Sequence, residues 1–128
     1  MSVVLDASAV IALLEGERGA DVVAARLSGA KLCAVNLAEV ISIYNYRGVS
    51  SKQLDAMFAP LKLDVIAADA GLARLAGALR PITAPAGLSL GDRFCLALAL
   101  RDGCPALTAD RQWTQIAEAV EVEIVVVR

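Results

Sequence analysis

Val3-Val4-Leu5-Asp6-Ala7-Ser8 runs from three apolar residues onto an acid and passes at once into Ala9-Val10-Ile11-Ala12-Leu13-Leu14, an apolar helical stretch. A short strand that ends on Asp and feeds a helix is the opening half of a βαβ unit. Outward from it the alternation recurs, with strands expected at about 2–6, 31–35, 63–66, 105–108 and 122–127. Helical patterns fall between them at about 8–15, 19–28, 37–47, 51–61, 70–79, 90–101 and 112–118. The pattern predicts an α/β fold: one domain over residues 1–128, with a five-stranded, mostly parallel central sheet flanked by about seven helices. Ser50 with Gln53 has capping-box spacing, Asp69 reads as an N-cap, and Gly48 and Gly103 stand where helices should stop. Arg80 to Leu90, with Pro81, Pro85 and Gly87, reads as a plain loop.

Of 128 residues, 58 % are hydrophobic and 20 % charged, enough apolar material for one core without disulfides or a structural metal. Histidine is absent, which excludes a histidine base, a Ser-His-Asp triad and a histidine-ligated zinc. Cys33, Cys95 and Cys104 show no C-x-x-C spacing and read as small buried hydrophobes in a reducing compartment. No basic segment precedes a long apolar run at the N-terminus, and no apolar stretch approaches the ~18 residues of a membrane span. A soluble, cytoplasmic protein without a membrane partner is expected. The net charge of −2 gives no global basic field.

In a parallel α/β sheet, sites form beyond the carboxyl ends of the strands. Asp6 follows the first strand, and Asp110 follows Pro105-Ala106-Leu107-Thr108 in the same way, so the two carboxylates converge if those strands are neighbours. Two further acids open helices. Glu39 stands three residues after Asn36, with capping-box spacing, and Asp92 begins the apolar helix Phe94-Cys95-Leu96-Ala97-Leu98 with Ser89 placed to cap it. Singly, each has an ordinary explanation as an Asx turn or a favourable first-turn charge. Jointly, four carboxylates facing one crevice repel strongly at low dielectric, and a bound divalent cation is the usual solution. An all-oxygen set suits magnesium or manganese, and such a metal supplies a nucleophile at neutral pH by lowering the pKa of bound water.

Val4-Leu5-Asp6-Ala7-Ser8-Ala9-Val10, Asn36-Leu37-Ala38-Glu39-Val40, Leu88-Ser89-Leu90-Gly91-Asp92-Arg93 and Leu107-Thr108-Ala109-Asp110-Arg111 resemble, in order and over the whole chain, the successive motifs of the PIN-domain nucleases. More narrowly they resemble the VapC toxins of bacterial toxin–antitoxin pairs. The resemblance implies a PIN-like domain acting as a metal-dependent endoribonuclease, with magnesium or manganese held among Asp6, Glu39, Asp92 and Asp110. Asp6, Glu39 and Asp92 match the three core acids, and Asp110 the more variable fourth. Ser8 and Thr108 match supporting polar positions. The resemblance also implies an RNA substrate, a homodimer, and a VapB-type antitoxin partner that approaches the acidic site.

Setting the four acids aside leaves ten acids against 12 basic residues, a surface mildly favourable to phosphate. Arg47, Arg80, Arg93 and Arg111 are candidate RNA contacts, and Tyr44, Tyr46 and Trp113 candidates for stacking on unpaired bases. Tyr44, Tyr46 and Phe58, on adjacent helices, suggest an apolar dimer face. A receiver-type phosphoacceptor domain shares the plan, but it needs a second acid after the first strand and a lysine after the fifth, and the last lysine here is Lys62. A haloacid-dehalogenase-like phosphatase lacks its second aspartate in Asp6-Ala7-Ser8, and no Walker A sequence is present. A catalytically silent PIN-like module that only binds RNA or protein is the other alternative.

Overall fold

The computed structural model describes residues 2–128. Five strands, β1 (Val4–Leu5), β2 (Lys31–Cys33), β3 (Asp64–Ile66), β4 (Ala106–Thr108) and β5 (Ile124–Val126), form one sheet in the order β3-β2-β1-β4-β5. Every pairing is parallel, with Val4 beside Lys31 on one side and Ala106 on the other. The chain builds outward from β1 to β3, then returns across the sheet to lay β4 on the free side of β1. The switch point between β1 and β4 is where such a sheet opens a crevice at its carboxyl edge.

Eight α-helices are described: α1 (Ala7–Glu15), α2 (Ala20–Ala25), α3 (Ala34–Tyr46), α4 (Ser51–Phe58), α5 (Ala70–Ala78), α6 (Arg80–Thr83), α7 (Leu90–Asp102) and α8 (Ala117–Val120). Side chains alternate across the strands and divide the core into two layers. Val3, Leu5, Leu32 and Leu107 face α1 to α4, whereas Val4, Cys33 and Ala106 face α5, α7 and α8. That alternation is the period of two expected of a strand buried on both faces. Helix α7 is buried from Phe94 to Ala99, which explains its nearly unbroken apolar sequence.

Three local expectations are corrected. The loop expected over 80–90 contains α6 and a 3-10 turn at Ala84–Ala86, because Pro81 and Pro85 sit in first turns, where a missing N–H costs nothing. This raises the helix count above seven. Helix α3 begins at Ala34, directly after β2, with Cys33 as a cap that makes no side-chain bond; Asn36 lies inside the first turn and is not the cap. Trp113 is fully buried in a 3-10 turn at Arg111–Ile116 and cannot stack on a base. The Ser50–Gln53 capping box and the Asp69 cap are present as expected.

Candidate active site

Asp6 ends β1 and caps α1, its Oδ1 accepting from the Ala9 N–H at 2.8 Å. The carboxylate is 2 % exposed and is surrounded by hydroxyls. Ser8 Oγ donates to Oδ1 at 2.8 Å, and Thr108 Oγ1 to Oδ2 at 2.5 Å. These two residues also tie the strand ends together: the Ala109 N–H donates to Ser8 Oγ at 2.9 Å and the Asp110 N–H to Thr108 Oγ1 at 3.1 Å. Asp110 follows β4 and caps the next turn, accepting from the Gln112 N–H at 2.9 Å. The convergence of the two strand-end acids thus rests on the β1–β4 pairing.

Asp92 enters from α7, whose N-terminus carries a reciprocal capping box: Ser89 N–H donates to Asp92 Oδ2 at 2.9 Å, and Asp92 N–H to Ser89 Oγ at 3.2 Å. Glu39 comes from the second turn of α3. Asn36 Nδ2 donates to Glu39 Oε1 at 2.7 Å and to the Gly91 carbonyl at 3.0 Å, so one buried amide aims the glutamate and fastens α3 to α7. Gly91 is the other half of that fit, since a Cβ there would collide with the Glu39 carboxylate. A glycine within a first helical turn next to an acid was the sequence signal for this close approach.

The acids perturb one another. Burial pushes Asp6 up to about 6 against the stabilising bonds from Thr108, Ala9 and Ser8, with the Asp92 charge adding to the rise. Burial also raises Glu39, as does the charge of Asp92; burial likewise raises Asp92, helped by Asp110. No lysine or arginine forms an ion pair with any of the four among the described residues. Asp92 is thus the acid through which the other three are linked by charge.

Of the four candidate arginines, the structure overturns one. Arg93 is 6 % exposed, and its guanidinium donates to the Ala76 carbonyl at 3.1 Å, joining α7 to α5. Arg47 is three turns along α3 from the site end and pairs with Glu15 at 3.3 Å. Arg80 and Arg111 are exposed, and Arg111 stands next to Asp110. Tyr44 also departs from expectation: it is buried, and its hydroxyl donates to Glu15 Oε1 at 2.9 Å. Two arginines that the sequence reading passed over, Arg18 and Arg128, line a hollow with Ser8, Asp110 and Arg111.

The model of the PIN domain family matches residues 3–119. The chain belongs to that family. Solved structures share the fold of this PIN domain at low sequence identity. A toxin–antitoxin complex from Klebsiella pneumoniae aligns with TM-score 0.71 and 19 % identity, covering 98 % of both chains. VapBC2 from Rickettsia felis bound to a promoter DNA fragment gives 0.68 and 18 %, again over 98 % of both chains. VapBC-5 from Mycobacterium tuberculosis gives 0.64 and 22 %, over 97 % of both. No curated protein matches the sequence significantly.

Divalent metal ions are general to PIN-domain nucleases, and the donor set of this PIN domain suits one. The donors are all hard oxygens, and among the described residues Asp92 Oδ1, Asp110 Oδ2 and Glu39 Oε2 accept no hydrogen bond from the chain. As they lie, no three such side chains are packed closely enough to hold an ion among the described residues. Magnesium does not need three, because it keeps several waters and takes only one or two carboxylates directly, with substrate phosphate completing the set.

Proposed function

We propose that this PIN domain is a VapC-type toxin, a magnesium- or manganese-dependent endoribonuclease. The observation that carries the reading is that Asp6, Glu39 and Asp110, from β1, α3 and the end of β4, each interact by charge with Asp92 of α7, with no cation paired to any of them among the described residues. Asp6, Asp92 and Asp110 would hold the ion directly or through water. The ion would supply a water of lowered pKa and offset charge on the phosphoryl oxygens.

The chain's own groups do the rest. Ser8 and Thr108 hold Asp6 in place. Asn36 holds Glu39 by one oxygen and leaves the other to orient the attacking water and take its proton; burial makes this carboxylate a stronger base than an exposed one. Attack by water on the phosphodiester leaves a 5′-phosphate and a 3′-hydroxyl. Arg80 and Arg111 are exposed for backbone contact.

Incubating purified protein with single-stranded RNA in manganese or in chelator tests the reading. Cleavage only with metal, giving 5′-phosphate ends, is expected. Equal cleavage in chelator would remove the metal from the account, and RNA binding without cleavage in either would favour the silent module. Gly91→Ala is a finer probe. Alanine's preference for the helix, at most about 0.5–1 kcal/mol, offsets the loss of the Asn36 bond as Glu39 is pushed aside, so the fold and melting temperature should change little, while displacement of Glu39 lowers cleavage by on the order of 100-fold. Wild-type cleavage by this variant would show that the position of Glu39 does not matter.

The partners proposed are a VapB-type antitoxin, since the aligned structures include VapB–VapC complexes, and a second copy of this chain. Tyr46 is 95 % exposed on α3. On a different face of that helix, Leu37 and Ile41, with Leu54, Phe58 and Val65, line an open apolar groove of about 360 Å³ between α3, α4 and β3. A second copy covering this groove would give a dimeric mass by light scattering at micromolar concentration, shifted to monomer by Val65→Glu, at an exposed residue of the groove wall. A monomeric wild type removes the homodimer. Cytoplasmic location also belongs to this proposal; the structure itself shows only that no helix among the described residues is long and apolar enough to cross a membrane.

A further inference from the structure

Arg18, Arg111 and Arg128 come from three separate parts of the chain and line one hollow of about 560 Å³, whose other walls are Ser8, Ala109 and Asp110. Arg18 lies in the turn between α1 and α2, Arg111 follows β4, and Arg128 follows β5. Their meeting is built into the backbone. Gly19 adopts φ +98° and packs so closely on the end of β5 that a Cβ would lie 2.7 Å from the Val127 carbonyl oxygen. The Val127 N–H in turn donates to the Thr108 carbonyl at 2.9 Å, and Arg111 Nε to the Arg128 carbonyl at 3.2 Å.

Much of the positive charge of this hollow is left without an acidic partner. Among the described residues Arg18 and Arg111 form no ion pair, and Arg128 meets only the exposed Glu17 at 3.4 Å. Three guanidinium groups around one hollow repel one another unless an anion joins them, and their planar forks suit the paired oxygens of a phosphate. Ser8 and Asp110 form the wall shared with the acid cluster, through the bond from Ser8 to Asp6. An anion in the hollow therefore lies beside Asp110 and one hydrogen-bonded residue from Asp6, at the edge of the acid cluster.

Resting on the ribonuclease reading, we propose that Arg18, Arg111 and Arg128 bind a backbone phosphate of the RNA strand flanking the bond to be cut. The hollow holds the strand in register so that the next phosphodiester falls to the acid cluster. It reads charge and not sequence, as phosphate contacts do.

The test is steady-state cleavage of a short fluorogenic single-stranded RNA in manganese over a range of salt. Arg18→Gln and Arg111→Gln should each raise KM by on the order of tenfold for every RNA sequence tried, leave kcat within about twofold, and flatten the salt dependence by about 0.7 in log–log slope. Both residues are exposed, so melting temperatures should match wild type. Arg74→Gln, exposed on α5 and outside the hollow, should change nothing. If the two variants keep wild-type KM and salt slope, the hollow is not a phosphate site, and the ribonuclease reading stands without it. If wild type does not cleave, RNA anisotropy in chelator decides: arginine-dependent binding supports the hollow although the nuclease reading fails, and no RNA binding overturns both. Arginine-dependent binding of a polyglutamate peptide in place of RNA also overturns it.

Discussion

Replacing Asp6 or Asp92 by Asn is expected to lower manganese-dependent RNA cleavage by on the order of 100- to 10,000-fold, the scale set by removing one electrostatic or proton-handling group from a site. Each change removes a charge and preserves shape. At Asp92 the amide oxygen can still accept from the Ser89 N–H, so the cap on α7 survives. At Asp6 the oxygen can still accept from Ala9, and the new amide can donate to Thr108 Oγ1. Circular dichroism should therefore match wild type while cleavage collapses. A folded Asp6→Asn that cleaves RNA at the wild-type rate would leave Asp6 as no more than a helix cap.

The second large effect is on stability. Asp6 rises from its ordinary 3.8 to about 6, chiefly because burial strips water from its charge. A raised carboxylate holds its proton in the folded state at a pH where the unfolded chain has released it. In the absence of metal, folded stability therefore falls as pH climbs through the unfolded value and then the folded one, the reverse of a salt-bridged acid. The shift corresponds to about 3 kcal/mol between about pH 3 and pH 7.5. Subtracting the wild-type curve from that of Asp6→Asn removes the groups not coupled to it, including Asp102, which a bond from Arg101 holds below the usual range. Denaturant unfolding in chelator across that range should show the variant gaining on wild type as pH rises. A difference that stays flat would mean that Asp6 is ionised at little cost and that its pocket is wetter than its burial indicates.

Much of this site was legible in the sequence because its parts are consequences of topology. Asp6 and Asp110 each follow a short apolar run, and once β1 and β4 pair, nothing else is needed to bring them together. Asp92 announced itself as the acid opening an apolar helix, and Ser89 as its cap. What stayed hidden depends on reach across the fold. Arg93 has a long apolar stem and one good acceptor in the Ala76 carbonyl, a contact between α5 and α7 that no local pattern shows. Asn36 has the spacing of a cap for Glu39, but its side chain serves the glutamate itself, because α3 starts straight off β2 three residues earlier. Arg18 and Arg128 are distant in sequence from every acid, and only the packing of Gly19 against Val127 places them beside Ser8.

If the four acids form one metal site, their repulsion in the metal-free protein costs stability that losing one charge recovers. Asp92 faces the fields of Asp6, Glu39 and Asp110, set against a gain of roughly 0.3–1 kcal/mol for its charge at a helix N-terminus. The cost of burying the charge, with that repulsion added, should win. The deciding measurement is a pair of thermal melts, wild type and Asp92→Asn, in chelator and in millimolar manganese at neutral pH. Asp92→Asn is expected to melt above wild type in chelator, by an amount corresponding to ~0.5–2 kcal/mol, and manganese to raise wild type more than the variant. If instead the variant melts below wild type in chelator and manganese moves both equally, Asp92 only caps α7 and the four carboxylates are not one site.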